Sequence, residues 1–207
     1  MSQVPDPLPQ FFQRDPSQAG FWNERFARNF TPWDQRGVPK QLARFIAQAP
    51  SGLSTLIPGC GIGYEVQHFA QAGWDVTAID FSATAVAAAK TRLGDLAAHV
   101  QQADFFSFTP SQLPAFIYER AFLCALPPAR WPAVIRRWAT LLPPGGLLGG
   151  FFFFDDAPKG PPFGADRLQL AASMAPSFDL LEDCPVTDSI PIFDGKERWQ
   201  LWRRRSV

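Results

Sequence analysis

The chain has 207 residues, 46% of them hydrophobic, which is enough for one α/β domain that buries about 70% of its unfolded surface without staples. Nineteen Lys and Arg balance nineteen Asp and Glu, so no net field gathers a polyanion, and Arg203-Arg204-Arg205 is too short and too terminal to form a nucleic-acid face. Twenty phenylalanines and seven tryptophans against two tyrosines mark a chain rich in wholly apolar rings.

In chain order, residues 1–10 carry Asp6 and three prolines in place of a basic patch and an apolar run, so no targeting segment is expected there. Phe11, Phe12, Phe21, Trp22, Phe26, Phe30 and Trp33 then crowd into a stretch where no core strand or long helix is evident. A first helix is expected over 41–49, where Leu42, Phe45, Ile46 and Ala49 keep a three-to-four spacing that Pro50-Ser51-Gly52 ends. An apolar strand over 53–57 stops at Pro58, a helix over 63–72 stops at Gly73, and a second strand over 74–79 closes on Asp80. Ser82 is a good N-cap for an alanine-rich helix over 83–93. Strands over 100–103 and 116–118, a proline-opened helix over 128–142 and a wholly apolar strand over 147–154 follow. A helix over 166–174 and strands over 178–181 and 199–203 complete the chain. The apolar block at 147–154 is too short to span a bilayer. The alternation predicts an α/β fold: a Rossmann-like, doubly wound, mostly parallel seven-stranded sheet with helices on both faces. Its ligand belongs beyond the carboxyl ends of the strands.

The chemistry should therefore gather just after each strand. After the first comes Gly59-Cys60-Gly61-Ile62-Gly63, where glycines let the backbone approach a ligand and lead into a helix whose first N–H groups face it. Taken alone, the same glycines make a tight turn. Asp80 stands about twenty residues on, where a carboxylate accepts both hydroxyls of a ribose; capping of the next helix by Asp80 and Ser82 is the ligand-free explanation. Asp104, after the third strand, suits an adenine amino group. The spacing is GxGxG and departs from the pyrophosphate-binding GxGxxG. Tyr64 and Tyr118 are followed four residues on by His68 and Phe122, which excludes the Tyr–Lys pair of short-chain dehydrogenases. A cofactor without phosphates, S-adenosyl-L-methionine, suits the shorter loop.

Phe21-Trp22 through Trp33, Leu56-Ile57-Pro58-Gly59-Cys60-Gly61, Ala78-Ile79-Asp80-Phe81-Ser82 and Asp104-Phe105-Phe106 form an ordered series of blocks. The series continues in Glu119-Arg120-Ala121-Phe122-Leu123-Cys124-Ala125-Leu126-Pro127-Pro128 and Gly160-Pro161-Pro162-Phe163. Together they resemble the thiopurine methyltransferase-like family of class I methyltransferases, which includes halide and thiol methyltransferases, over nearly the whole chain. The resemblance implies S-adenosyl-L-methionine as cofactor, S-adenosyl-L-homocysteine as product, and a small thiol, halide or chalcogen compound as acceptor. It places Trp22, Phe26, Trp33, Gly59, Gly61, Gly63, Asp80, Phe81, Ala103, Asp104 and Arg120 on the cofactor. Trp33, Phe122 and Phe163 fall on the acceptor side, and Arg120 is the catalytic candidate, steering an anionic nucleophile or orienting the substrate. A surface pair with Glu119 is the alternative for Arg120. Gly59 stands where some members carry a bulkier residue, and Ala121-Phe122-Leu123-Cys124 looks more like the halide and thiol branch. The resemblance also implies an amino-terminal lid, 1–40, ahead of a methyltransferase domain, 41–207, with the lid's rings excluding water and facing a sulfonium cation.

Transfer from a sulfonium to an anion neutralises charge on approach to the transition state, so a dry apolar pocket favours it, and a thiolate needs no strong base. His68 and His99 lie away from the strand ends and read as structural or surface residues. Asp155-Asp156 point apart on an extended chain, and Leu126-Pro127-Pro128-Ala129 lacks the polar residue and ring used by methyltransferases of nucleic-acid or protein amino groups. Cys60, Cys124 and Cys184 are odd in number and in no CxxC arrangement, which indicates neither a disulfide framework nor a metal cage. The expectation is a cytoplasmic enzyme with no metal and no nucleic-acid or membrane partner; the sequence specifies no oligomeric partner. A nicotinamide-dependent oxidoreductase, NAD(P)-linked, and a non-catalytic cofactor-binding protein are the alternatives.

Overall fold

Alternate residues of the apolar strands face opposite sides of one sheet, and helices cover both sides. The computed structural model describes residues 10–34, 37–157 and 159–206. Strands β1 (Ser54–Pro58), β2 (Asp75–Asp80), β3 (Val100–Gln102), β4 (Phe116–Arg120) and β5 (Leu147–Phe153) run parallel. Strands β6 (Phe178–Pro185) and β7 (Glu197–Arg204) complete the order β3-β2-β1-β4-β5-β7-β6. The helices are α1 (Ala19–Ala27), α2 (Lys40–Gln48), α3 (Tyr64–Gln71), α4 (Ala83–Leu93), α5 (Trp131–Leu141) and α6 (Arg167–Met174).

On one face Phe116, Tyr118, Phe151 and Trp199 bury against Leu42 and Ile46 of α2, Val66 and Phe69 of α3, and Ala89 of α4. On the other, Ile117, Leu148, Phe152 and Trp202 bury against Val134 and Trp138 of α5 and Leu170 and Met174 of α6. Two helix starts are fixed by side-chain caps: Ser82, which the sequence marks as one, and Asp166, which the sequence reading placed inside its helix. Ser82 Oγ accepts from the Ala85 amide at 3.1 Å, and Asp166 Oδ1 accepts from the Gln169 amide at 2.8 Å, each satisfying a donor that the first helical turn leaves open.

Two features, at α1 and at the end of β4, depart from the sequence expectation, and a third, at the sheet edge, gives the mostly parallel expectation its antiparallel part. The aromatic stretch contains a nine-residue helix, α1; its N-cap, Gln18, makes no side-chain cap bond, and burial of Phe21 and Trp22 holds it instead. Tertiary contact thus overrides weak local signals. The last two strands are antiparallel, because residues 186–196 between them contain turns and no crossover helix, which parallel pairing would need. Strand β4 continues two residues past Tyr118, so Glu119 and Arg120 are strand residues on opposite faces.

Glu119 pairs with Gly150 across β4 and β5, and a Cβ at Gly150 would collide with the Glu119 backbone. Gly150→Ala is expected to destabilise the protein by about 3 kcal/mol, because backbone on backbone leaves no rotamer to relax into. Urea unfolding followed by circular dichroism measures it, and a loss below about 1 kcal/mol would contradict this packing.

Candidate active site

The strand order reverses direction between β1 and β4, and the loops that leave the strands there enclose, with α1 and the segment after it, a cavity of about 590 Å³. Gly59, Gly61 and Gly63 all have positive φ, 63°, 53° and 77°. A Cβ at Gly59 would stand 2.7 Å from the Phe122 ring, so this position needs glycine for both its backbone and its neighbour.

Asp80, at the end of β2, holds this loop in place. Its Oδ2 accepts from the Gly61 amide at 3.0 Å and its Oδ1 from the Ser82 amide at 2.8 Å. Burial pushes its carboxyl up to about 6, against the lowering effect of those two amides. Ser82 carries the chain of contacts further: its hydroxyl donates to Asn23 Oδ1 at 2.7 Å, and the Thr84 amide donates to the same oxygen at 3.3 Å, which docks α1 on the start of α4. Asn23 escaped the sequence reading because the rings around it drew the argument.

The wall opposite the glycine loop is aromatic. Trp33 meets Trp22 and Phe26 edge to face at 5.3 and 5.9 Å, and Trp22 Nε1 donates to the Pro16 carbonyl at 2.8 Å. Phe122 packs on Phe105 at 5.0 Å. Asp104 is exposed at the rim, where its Oδ1 accepts from the Phe106 amide at 2.9 Å.

Arg120 lies on the cavity floor, with one guanidinium nitrogen 3.6 Å from Glu65 Oε1 and its centre 5.1 Å from the Phe151 ring. The alternative of a surface pair with Glu119 does not form, since alternate strand residues diverge, and the buried pair with Glu65 stands instead. Burial raises the Glu65 carboxyl against the lowering pull of Arg120. Glu119 faces the other side. Its Oε1 accepts from the Phe122 and Leu123 amides at 3.1 and 3.0 Å, which shapes the turn carrying Phe122, and burial pushes its carboxyl up to about 8.

Trp22, Phe26, Trp33, Gly59, Gly61, Gly63, Asp80, Phe81, Ala103, Asp104, Arg120 and Phe122 all line the cavity. Phe163 does not. Pro161 and Pro162 line it instead, while the Phe163 amide donates to the Cys124 carbonyl at 2.7 Å and fixes that segment alongside. Glu65 and Tyr118 are lining residues that the sequence reading left out; an acid in the first turn of the helix after Gly63 was the available signal for Glu65. Neither histidine lines the cavity, and a His99 ring nitrogen lies 2.9 Å from the Val76 carbonyl. Among the described residues no three His, Cys, Asp or Glu side chains group to hold a metal, and Asp155 binds Lys196 at 2.8 Å.

A glycine loop tied to a buried acid at the next strand, on a sheet of this order, defines a class I methyltransferase. Two solved structures share the fold. The N-methyltransferase NodS from Bradyrhizobium japonicum WM9, solved with S-adenosyl-l-homocysteine, superimposes with a TM-score of 0.71 at 18% identity over 89% of this chain and 97% of that one. Magnesium protoporphyrin IX methyltransferase from Synechocystis PCC 6803 gives 0.72 at 16% identity, covering 95% and 100%. Residues 17–205 match the family model of thiopurine S-methyltransferase, and the chain belongs to that family. It is an S-adenosylmethionine-dependent methyltransferase, and the family match gives no support to the oxidoreductase or the non-catalytic alternative. Among its relatives are a probable thiol methyltransferase 2 of Arabidopsis thaliana, 28% identical over 92% of this chain and 88% of the relative. Thiocyanate methyltransferase 1 of the same plant is 27% identical over 97% and 91%. Thiopurine S-methyltransferase of Shewanella woodyi is 30% identical over 68% and 74%.

The native chain keeps the Glu119 proton to about pH 8, while the unfolded chain releases it near 4.5. The native state therefore binds more protons in that interval, and stability falls as pH rises through it, by at most about 1.4 kcal/mol per unit. Glu119→Gln keeps an acceptor for the Phe122 and Leu123 amides and removes the titration. Urea unfolding should find the variant more stable than wild type by about 1–3 kcal/mol at about pH 7.5, with the difference shrinking toward about pH 5. Parallel pH profiles for the two proteins would contradict the assignment.

Proposed function

We propose that the protein is a cytoplasmic enzyme that methylates small soft nucleophiles, thiols foremost and halide or other chalcogen anions beside them. The observation that carries this reading is the pairing of a ring-lined wall with the buried Arg120 on the floor of one cavity. Rings exclude water from an anion that must shed its hydration to react, and a fixed cation draws that anion in. The names of the relatives, thiol, thiocyanate and thiopurine methyltransferases, agree in describing sulfur acceptors.

The residues present fit the cofactor. Asp80 spends one lone pair of each oxygen on a backbone amide, which leaves one on each for a ribose diol. Asp104 and Ala103 after β3, with Phe81 after β2, suit an adenine. The glycine loop, with no side chain at Gly59, Gly61 or Gly63, lets the nucleoside lie against the backbone. When bound, S-adenosylmethionine supplies an electrophilic methyl group on a sulfonium. Trp22, Phe26 and Trp33 are assigned to shielding that centre as part of a lid over 1–40, in which 1–9 and 35–36 lie outside the described residues. Trp33 and Phe122 are assigned to the acceptor, and Phe163 acts on it through Pro161 and Pro162. Arg120 is the charge that orients the approach.

Incubation with S-adenosylmethionine and a panel of thiols, thiocyanate and iodide, read as S-adenosylhomocysteine formed, tests the acceptor class. Turnover is expected with thiols, and none across the panel would defeat the proposal. The cofactor half is tested by calorimetry. Protonation of Asp80 below about pH 6 removes a charged acceptor from the ribose, so S-adenosylhomocysteine should bind progressively more weakly from about pH 7 down to about pH 5. Asp80→Asn should weaken binding about tenfold at neutral pH and flatten that dependence. Affinity that is indifferent to both changes would remove Asp80 from the ribose.

A further inference from the structure

We infer that Arg14, Arg25 and Arg130 form a clamp at the mouth of the cavity for a carboxylate that the acceptor carries about 10 Å from its sulfur, so that the favoured acceptors are elongated aromatic thiols with an anionic far end. This rests on the thiol reading above. Three observations lead there.

The first is the build of the two walls. From Trp33, assigned to the acceptor, a ladder of rings runs through Trp22 at 5.3 Å and Phe21 at 4.9 Å, and the Arg25 guanidinium closes it, 3.2 Å from the centre of the Phe21 ring. From Phe122, also assigned to the acceptor, a second ladder runs through Phe105 at 5.0 Å and Phe106 at 5.5 Å to Arg130, 4.3 Å from the centre of that ring. Every member of both ladders lines the cavity, as does Arg14. Arg14 and Arg130 are exposed and Arg25 is half-buried, which puts the cationic ends at the mouth. Each wall is thus apolar for two ring-to-ring steps of about 5 Å and then turns positive.

The second is charge. Arg14 lies close enough to Arg25 for the two cations to repel, and Asp15, its neighbour in the chain, lies within the field of Arg130, so residues 14 and 15 join the two ladder ends. Among the described residues no carboxylate is within ion-pair distance of Arg14, Arg25 or Arg130. The acids whose fields reach them are engaged elsewhere. Asp15 accepts from the Ser17 amide at 2.9 Å and hydroxyl at 2.7 Å, and Glu24 accepts from the Phe12 and Gln13 amides at 3.0 and 2.9 Å, with Arg28 at 3.4 Å. Clustered cations repel one another, and an anion seated among them relieves that repulsion.

The third is donor geometry. Arg25 Nη1 donates to the Phe21 carbonyl at 2.8 Å, which fixes the guanidinium on the ring and leaves its remaining donors for a ligand. A guanidinium fork matches a carboxylate in two parallel bonds, and rings between the sulfur and that carboxylate would lie against the ladders. Thiocyanate and iodide have no far end and leave the clamp unused.

4′-Mercaptobiphenyl-4-carboxylate and its carboxamide share thiol, rings and length and differ in charge, which makes them the test pair. With S-adenosylmethionine supplied and S-adenosylhomocysteine measured, the wild-type protein should favour the carboxylate by about tenfold or more in kcat/KM, expressed in KM. Arg25→Gln and Arg130→Gln should each lower that ratio by about threefold or more, whereas a merely structural loss lowers both acceptors together and leaves the ratio where it was. Arg130, exposed on the wall away from α1, supplies the second variant if Arg25→Gln fails to fold. A wild-type ratio near one, or a ratio that neither variant moves, overturns the clamp. Thiophenol, which has no far end, keeps the two readings apart: its turnover beside a ratio near one sinks the clamp alone, and turnover of none of the three thiols overturns the thiol reading with it.

Discussion

Much of the site hangs on one carboxylate that is shared between two backbone amides. Asp80 takes the Gly61 amide on one oxygen and the Ser82 amide on the other, and so fastens the glycine loop of β1 to the entry of α4. Ser82 in turn caps α4 and holds Asn23 of the aromatic helix. The ligand-free explanation for Asp80 and the ligand-binding one are therefore complementary. Structural bonds occupy one lone pair on each oxygen, and they fix where the remaining pairs point. In the proposed cofactor site a capping acid doubles as the ribose acceptor, because its cap partners are the loop against which the ribose would lie.

The end of β4 uses strand alternation for a second division of labour. Glu119 turns to one face, where it shapes the turn holding Phe122, and Tyr118 and Arg120 turn to the other, where they meet Glu65. Had the strand ended at Tyr118, Arg120 would have been a loop residue free to reach solvent. Two further residues of pairing with β5, opposite Gly150 and Phe151, bury it instead. The guanidinium is thus presented by the last residue of a strand, paired there with Phe151 of β5. For the proposed role of orienting a small anion, such a mount is more effective than a mobile loop.

What the sequence made legible follows from the range of each interaction. The strand β5 is a continuous apolar run, β1 and β2 are short runs built around apolar residues, the three are closed by Pro58, Asp80 and an acid pair, and Ser82 is a local cap; all were readable because they depend on neighbours in sequence. The helix α1 was not, since its stability comes from burying Phe21 and Trp22 and from Asn23 reaching α4, about sixty residues away. Arg120 was singled out from the sequence, but its partner was not: nothing local to Glu65 announces that it lies 3.6 Å from the end of β4. Phe163 shows the converse limit. The Gly-Pro-Pro-Phe block marked the right segment, yet the prolines face the cavity and the ring does not.

The same burial that shapes the cavity leaves its acids waiting for a ligand. Burial raises the carboxyls of Asp80 and Glu65, which makes their charged forms costly until donors arrive. A sugar diol is a donor of the required kind for Asp80, so binding of the proposed cofactor and ionisation of that carboxyl favour each other. An anionic acceptor of the class proposed would instead meet Arg120 and the rings of Trp33 and Phe122, which line the same cavity.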